Sequence, residues 1–144
     1  MTEHTMQQSI HECLQQWLGS LGLYGFDSSE SQDQPLQQCA TVQIEGSIRW
    51  NIEVRATKAL LHRVALEMTG MSKKKLDAEL LDDVLREFAN TMGGNLYPIL
   101  EGAKSMRVPR SEPATGRINA SVCLTSGDMT AQVTLLNETT LNDR

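Results

Sequence analysis

The sequence predicts an α+β fold in which helices pack on one face of an antiparallel sheet. Apolar residues recur at helical spacing in three segments, and apolar and polar residues alternate in two pairs of segments. The predicted order is helix, hairpin, two helices and a second hairpin. Because each alternating strand has one apolar side, the helices are expected on that side of the sheet. A length of 144 residues predicts a single domain over 1–144.

The first half of the chain predicts one helix and one hairpin. Residues 6–21 carry apolar side chains at the spacing of an amphipathic helix. Residues 27–35 are polar and rich in turn formers, which predicts a loop. Residues 40–44 and 48–54 alternate between apolar and polar, with a tight turn expected at Glu45 and Gly46.

Two further helices follow the hairpin. Thr57 is a suitable N-cap for a helix that ends near Gly70. A longer helix is predicted over residues 77–102. Pro98 lies inside this segment and is expected to kink the helix, because proline removes a hydrogen bond and crowds the carbonyl of Gly94.

The last part of the chain predicts a second hairpin. Residues 111–116 form a proline- and glycine-containing loop, and residues 118–124 and 129–135 alternate as strands. Residues 137–144 are expected to form a frayed tail.

Composition argues against several classes of function. Thirteen basic and eighteen acidic residues give a net charge of -5, so a nucleic-acid ligand is not expected. The one basic run, 73–75, is interpreted as a solvated loop. His4, His11 and His62 occupy unrelated positions, which predicts no metal site. The sequence shows no signal-peptide pattern and no membrane-length apolar stretch, and its three cysteines are scattered. A cytoplasmic protein with reduced thiols is therefore expected.

The long helix has two different faces. At 100° per residue, its apolar side chains form a stripe within about 80° of Phe88. The stripe contains Leu81, Val84, Leu85, Phe88, Met92 and Leu96. Glu87 and Asn90 fall roughly 130° and 170° from the centre of this stripe, so both should face away from the core. Asp83 precedes Glu87 by one turn, and Gly94 follows Asn90 by one turn.

Asn90, Gly93 and Gly94 are poor choices for a helix interior, since each glycine costs about 1 kcal/mol relative to alanine. Two interpretations remain open. The polar pair consists of ordinary solvated residues and the glycines permit packing, or the exposed face is a site that a partner approaches closely.

The segment LDDVLREFANTMGG, 81–94, resembles the central helix of the CheX/CheC family of chemotaxis phosphatases. The family pattern is E-[LFI]-x-N-x-x-x-G. Here it reads Glu87, Phe88, Asn90 and Gly94. The preceding strand and helix, Val108-Pro109 and the 113–116 turn also fit, so the resemblance covers about residues 36–136. A CheC-type protein carries two such pairs, whereas the first helix here offers only Glu12 and Gln15. The single-site CheX type therefore fits better.

The resemblance implies a CheC-like fold and hydrolysis of the aspartyl phosphate of a CheY-like response regulator. Asn90 would orient the attacking water and Glu87 would pair with the receiver's lysine. Asp83 and Gly94 would line the docking surface, while Arg86 would either contact the receiver or compete for the carboxylate of Glu87. The resemblance also implies a homodimer joined through its sheets. It implies no cofactor on this chain, with Mg²⁺ on the receiver. The alternative is a non-catalytic interaction module of a chemotaxis or flagellar switch complex.

Overall fold

The computed structural model describes residues 2–29, 38–70 and 77–138. Three helices are present in this part of the chain: α1 (Glu3–Ser20), α2 (Lys58–Thr69) and α3 (Ala78–Leu96). The strands are β1 (Asp27–Ser28), β2 (Gln38–Gly46), β3 (Arg49–Ala56), β4 (Ala103–Met106), β5 (Arg117–Ser126) and β6 (Met129–Glu138). They form one antiparallel sheet in the order β1-β5-β6-β3-β2-β4. The predicted α+β class is confirmed.

Parts of three predicted segments lie outside the described residues. These are residues 30–35 of the predicted loop, the whole basic run 73–75 and residues 139–144 of the predicted tail. The described ends of the loop and the tail were predicted wrongly, because 27–28 pair as β1 and 137–138 belong to β6.

A side-chain cap begins each helix. The Oγ1 atoms of Thr2 and Thr57 and a carboxylate oxygen of Asp77 each accept a hydrogen bond from the backbone N–H three residues later. Thr57 is therefore the N-cap that the sequence predicts. Gly70 closes α2 at a φ of 66°, a left-handed conformation that glycine adopts without steric cost.

The core lies between the helices and one face of the sheet. Val122, Val133 and Val54 are neighbours across β5, β6 and β3, so they form part of a continuous apolar surface. Helix α3 packs over β2 and β3, α1 packs against β5, and α2 packs against β6. Trp17 of α1 stacks on Phe88 of α3 with ring centroids 4.2 Å apart and planes at 3°. This stack connects the first helix to the central one.

Helix α3 is shorter than predicted. It ends at Leu96, and Pro98 lies in a single turn of 3-10 helix, Tyr97–Ile99, instead of kinking a helix that continues to residue 102. The backbone N–H of Tyr97 still donates to Gly93 O, but proline has no N–H to donate to Gly94 O. The chain then extends into β4, a strand that the sequence did not predict.

The first hairpin turns two residues later than predicted. Glu45 and Gly46 belong to β2, and Ser47 and Ile48 form the turn. A Cβ atom at Gly46 would lie 1.7 Å from Gly102 O, so only glycine permits β4 to approach here.

Ile118 was expected on the apolar face of its strand, but 66% of its surface is exposed. The register of β5 against β6 shifts between Ile118 and Ala120. This β-bulge changes the facing of residues on one side of it, so Ile118 points to solvent while Ala120 and Val122 are buried.

A segment that we call the strap, residues 107–116, follows β4. It runs along the edge of β2 and then crosses the polar face of the sheet. Thr41 Oγ1 donates to Glu112 O at 2.7 Å, and Asn51 Nδ2 donates to Thr115 O at 2.7 Å. The N–H of Ala114 donates to the Glu53 carboxylate at 2.8 Å. These bonds hold the end of the strap against β2 and β3.

Candidate functional site

Helix α3 presents its buried and exposed faces as the apolar stripe predicts. Its buried residues are Leu81, Val84, Leu85, Phe88, Ala89, Met92, Gly93 and Leu96. Glu87 is exposed and Asn90 is half-buried, and they lie three residues apart on the opposite side of the helix. The two side chains are therefore neighbours that an approaching molecule could contact.

Glu87 and Asn90 make few contacts within the protein. Thr91 Oγ1 donates to Glu87 O at 2.9 Å and lies 3.5 Å from a carboxylate oxygen of Glu87. Across residues 2–29, 38–70 and 77–138, no Lys or Arg forms an ion pair with Glu87, and the Asn90 amide makes no hydrogen bond. Both groups thus retain their capacity to bind something else.

Arg86 does not compete for the carboxylate of Glu87. Its guanidinium forms ion pairs with Asp82 and Asp83 on the same helix. It also donates to Ser111 Oγ of the strap at 3.1 Å. Of the two roles that the sequence left open, competition with Glu87 is absent in this structure, and the charge of Asp83 is already paired.

An open groove of about 490 Å³ lies beside the pair. Four residues of α3 form one wall: Asp83, Arg86, Glu87 and Asn90. The other wall is the 106–109 segment, where β4 ends and the strap begins. Val108 in this wall is 82% exposed and Met106 is 37% exposed. The groove therefore combines an acidic and amide-bearing wall with an apolar one.

An ion pair holds the second wall against β2. A guanidinium nitrogen of Arg107 lies 3.0 Å from a carboxylate oxygen of Glu45. The hydrogen bond from Arg107 lowers the pKa of Glu45, and the same bond raises the pKa of Arg107. Both groups therefore stay charged at neutral pH, and the positive charge of Arg107 is compensated locally.

The two adjacent glycines of α3 have different surroundings. A Cβ atom on Gly93 would lie 2.9 Å from both Val42 Cγ1 and Met106 Sδ, so Gly93 permits close packing of the sheet. A Cβ atom on Gly94 would have nothing within 4 Å. The packing interpretation thus holds for Gly93, and no packing within the described protein requires Gly94.

The sequence singled out the helix wall of the groove but not the strap wall. Val108 and Pro109 contributed only to the resemblance, and nothing in their spacing placed them beside Glu87. Their position follows from β4, an edge strand without an alternating pattern. A prediction of β4 would have been needed to find this wall.

The weaker pair on α1 lies elsewhere. Glu12 and Gln15 are exposed and line a larger groove, about 860 Å³, between α1 and β5. Neither Glu87 nor Asn90 borders it.

Other candidate sites gain no support in the part of the chain that is described. No three His, Cys, Asp or Glu side chains cluster there in a way that could hold a metal ion. None of its helices has both the length and the apolar character required to cross a membrane.

No family model and no curated protein matches the sequence. Solved structures do match. The chain superposes on the chemotaxis protein CheX from Vibrio vulnificus with a TM-score of 0.73, covering 91% of this chain and 95% of that one at 15% identity. The chain has the CheX fold.

Two further structures extend the likeness. One is CheX in the CheX-CheY-BeF3-Mg²⁺ complex from Borrelia burgdorferi, with a TM-score of 0.66 and 12% identity over 92% of this chain and 97% of that one. Another is a CheC-like superfamily protein from a Shewanella species, with a TM-score of 0.67 and 12% identity over 92% and 96%. The CheX fold thus spans nearly all of this chain.

Proposed function

We propose that this protein accelerates hydrolysis of the aspartyl phosphate on a CheY-like response regulator in the cytoplasm. The observation that carries the proposal is the Glu87–Asn90 pair on the outer face of α3. Among the described residues, Glu87 has no ion-pair partner, its carboxylate contacts only the Thr91 hydroxyl at 3.5 Å, and the Asn90 amide makes no hydrogen bond. The shared CheX fold supports it, because one protein of that fold is in a complex with CheY, BeF3 and Mg²⁺.

Asn90 is assigned to the attacking water. In phosphoryl transfer, catalysis consists largely of positioning and electrostatic stabilisation. A carboxamide both donates and accepts hydrogen bonds, so it can hold a water in line with the bond that breaks. The water oxygen attacks phosphorus, the bond to the aspartyl oxygen breaks, and carboxylate and inorganic phosphate are released. The water's proton leaves with the phosphate or passes to solvent.

Glu87 is assigned to the receiver's lysine. A carboxylate without an internal cation gains a charge-assisted hydrogen bond when an ammonium group approaches. The hydrogen bond from Thr91 restricts the side chain of Glu87 before docking. The Mg²⁺ that binds the phosphoryl oxygens would belong to the receiver. Arg86 and Asp83 are assigned to the docking surface as members of an ion-paired group with Asp82. Gly94 is assigned to the position where the receiver backbone comes closest.

We also propose a homodimer joined through the sheet. Strand β4 lies at the edge of the sheet, and an edge strand offers unpaired backbone groups to a second copy.

The test is the lifetime of the phosphorylated receiver, measured by phosphate release with catalytic amounts of this protein. We expect the wild type to shorten that lifetime and Asn90→Ala to lose about 100-fold or more of the acceleration, because the water is no longer positioned. Asn95→Ala is the matched control, since Asn95 is an exposed asparagine of the same helix. It should behave as wild type.

Binding distinguishes the proposal from a non-catalytic interaction module. If Asn90→Ala still binds the receiver but no longer shortens its phosphate lifetime, Asn90 acts in the chemistry. If the wild type binds receivers and leaves their phosphate lifetimes unchanged, the phosphatase assignment is wrong and the module describes the protein.

A further inference from the structure

Val108 is the most exposed large apolar side chain of the described residues, at 82%. Single exposed apolar residues are common and need no explanation by themselves. Val108 differs because it lines the groove that Glu87 and Asn90 also line. Ile118 and Tyr24, which are also exposed, lie in other depressions of the surface.

The backbone holds Val108 in place from both sides. Arg107 N donates to Gln43 O at 2.8 Å, and Arg110 N donates to Thr41 O at 2.9 Å. Thr41 N returns a bond to Arg110 O at 2.8 Å. Pro109 restricts the chain between these two anchors. Valine has few rotamers, so burying this side chain against a partner costs little conformational entropy.

The charges around the groove define what fits there. The guanidinium of Arg86 is paired with Asp82 and Asp83, and that of Arg107 is paired with Glu45. Glu87 is the groove carboxylate that has no cation among the described residues. A complementary partner therefore presents a cation to Glu87 and an apolar side chain to Val108 on the opposite wall of the groove.

We propose that Val108 is an apolar docking contact for the receiver and that it selects receivers by the side chain that faces it across the groove. The inference rests on the proposed function, since it places the lysine on Glu87. Receivers with an apolar side chain facing Val108 bury it on docking. Receivers with a charged side chain there leave it facing a desolvated charge and are rejected.

The test measures binding, so that it does not depend on catalysis. Receivers of the same genome, loaded with BeF3⁻ and Mg²⁺ to mimic the phosphorylated state, are titrated with wild type, Val108→Ser, Val108→Leu and Ile118→Ser. Val108→Ser should weaken binding about tenfold, which corresponds to about 1.4 kcal/mol. Val108→Leu should stay within about threefold of wild type, because it keeps an apolar surface.

Ile118→Ser is the matched control, because it removes a similarly exposed branched side chain outside the groove and should bind as wild type. If Val108→Ser binds as tightly as Val108→Leu, the inference is overturned, and phosphate lifetimes decide the proposed function separately. If the wild type binds none of the receivers, both are overturned. Thermal melting of each variant identifies any loss of binding that comes from unfolding.

Discussion

At the scale of single residues, the two adjacent glycines of α3 separate packing from function. Gly93 is buried against β2, whereas Gly94 is exposed and touches nothing within the described protein. Glycine in a helix interior costs about 1 kcal/mol relative to alanine. The close approach of Val42 explains that cost at Gly93, but nothing in the fold explains it at Gly94.

We predict opposite effects on stability when each glycine is replaced by alanine. Gly94→Ala should raise the free energy of unfolding by up to about 1 kcal/mol, because the new methyl group enters open space. Gly93→Ala should lower it by on the order of 1 kcal/mol net, because the clash with β-branched Val42 outweighs the gain in helix propensity. Urea denaturation of the two variants and the wild type measures both values.

Gly94→Ala also tests the docking surface. If a receiver backbone approaches Gly94, this variant should be more stable and yet less active in shortening the phosphate lifetime, a trade-off common at functional sites. A variant that is more stable and fully active would show that docking does not require glycine at position 94.

At the scale of elements, the strap depends on ion pairs and hydrogen bonds more than on burial. The Glu45–Arg107 pair fixes its beginning, and Glu53 and Asn51 bind its end. The position of Val108 relative to α3 follows from these contacts. The geometry of the groove is therefore sensitive to the protonation of Glu45.

We predict that Glu45 titrates below its ordinary pKa of 4.5, chiefly because of the hydrogen bond from Arg107. A lowered pKa in the folded state means that the pair stabilises the fold above about pH 4.5 and that this contribution is lost as the pH falls through the lowered value. NMR titration of the Glu45 carboxyl carbon gives the midpoint in the folded protein.

Two arginine variants test the cause. Arg107→Gln should move the Glu45 midpoint up toward its ordinary value. Arg49→Gln should move it less, because Arg49 lies 3.7 Å from the carboxylate and acts only through its charge. An equal shift in both variants would contradict the assignment to Arg107.

The elements that the sequence predicted are those with a long periodic pattern. The stripe centred on Phe88 identified α3 and its exposed face, and alternation identified β2, β3, β5 and β6. Strands β1 and β4 were missed because each is a short edge strand whose pairing comes from its neighbour's register. Pro98 lies in the 3-10 turn that follows α3 instead of kinking a continued helix, and proline lacks the N–H that would extend the helix to Gly94 O. The bulge that exposes Ile118 has no signal in apolar spacing.

At the scale of the whole molecule, the sequence predicted one wall of the groove, on α3, and not the other. Glu87 and Asn90 belong to one helix, so their mutual position follows from helical geometry alone. Val108 reaches them only through the long-range pairing of β4 with β2 and the anchoring of the strap. Contacts between segments far apart in sequence depend on the complete topology. This explains why the second wall of the groove required the structure.

One apolar cluster includes residues of all three helices and of the four long strands. The Trp17–Phe88 stack connects α1 to the helix that carries the site, and Trp50 lies buried in β3 with its indole N–H donating to Glu101 O at 3.1 Å. Because the two tryptophans belong to different elements, α1 and β3, and have different contacts, they can show whether this cluster unfolds as one unit.

We predict one cooperative transition in urea, since α1, α2 and α3 all pack into the one apolar cluster of the described residues. In Trp50→Phe, the fluorescence of Trp17 should lose its native value at the same urea concentration at which far-UV circular dichroism changes. In Trp17→Phe, the fluorescence of Trp50 should coincide with circular dichroism in the same way. Each comparison is made within one variant, so a change in stability caused by the substitution does not affect it. Loss of the Trp17 signal at lower urea than the circular dichroism change would mean that α1 detaches before the rest of the cluster unfolds, which would contradict a single transition.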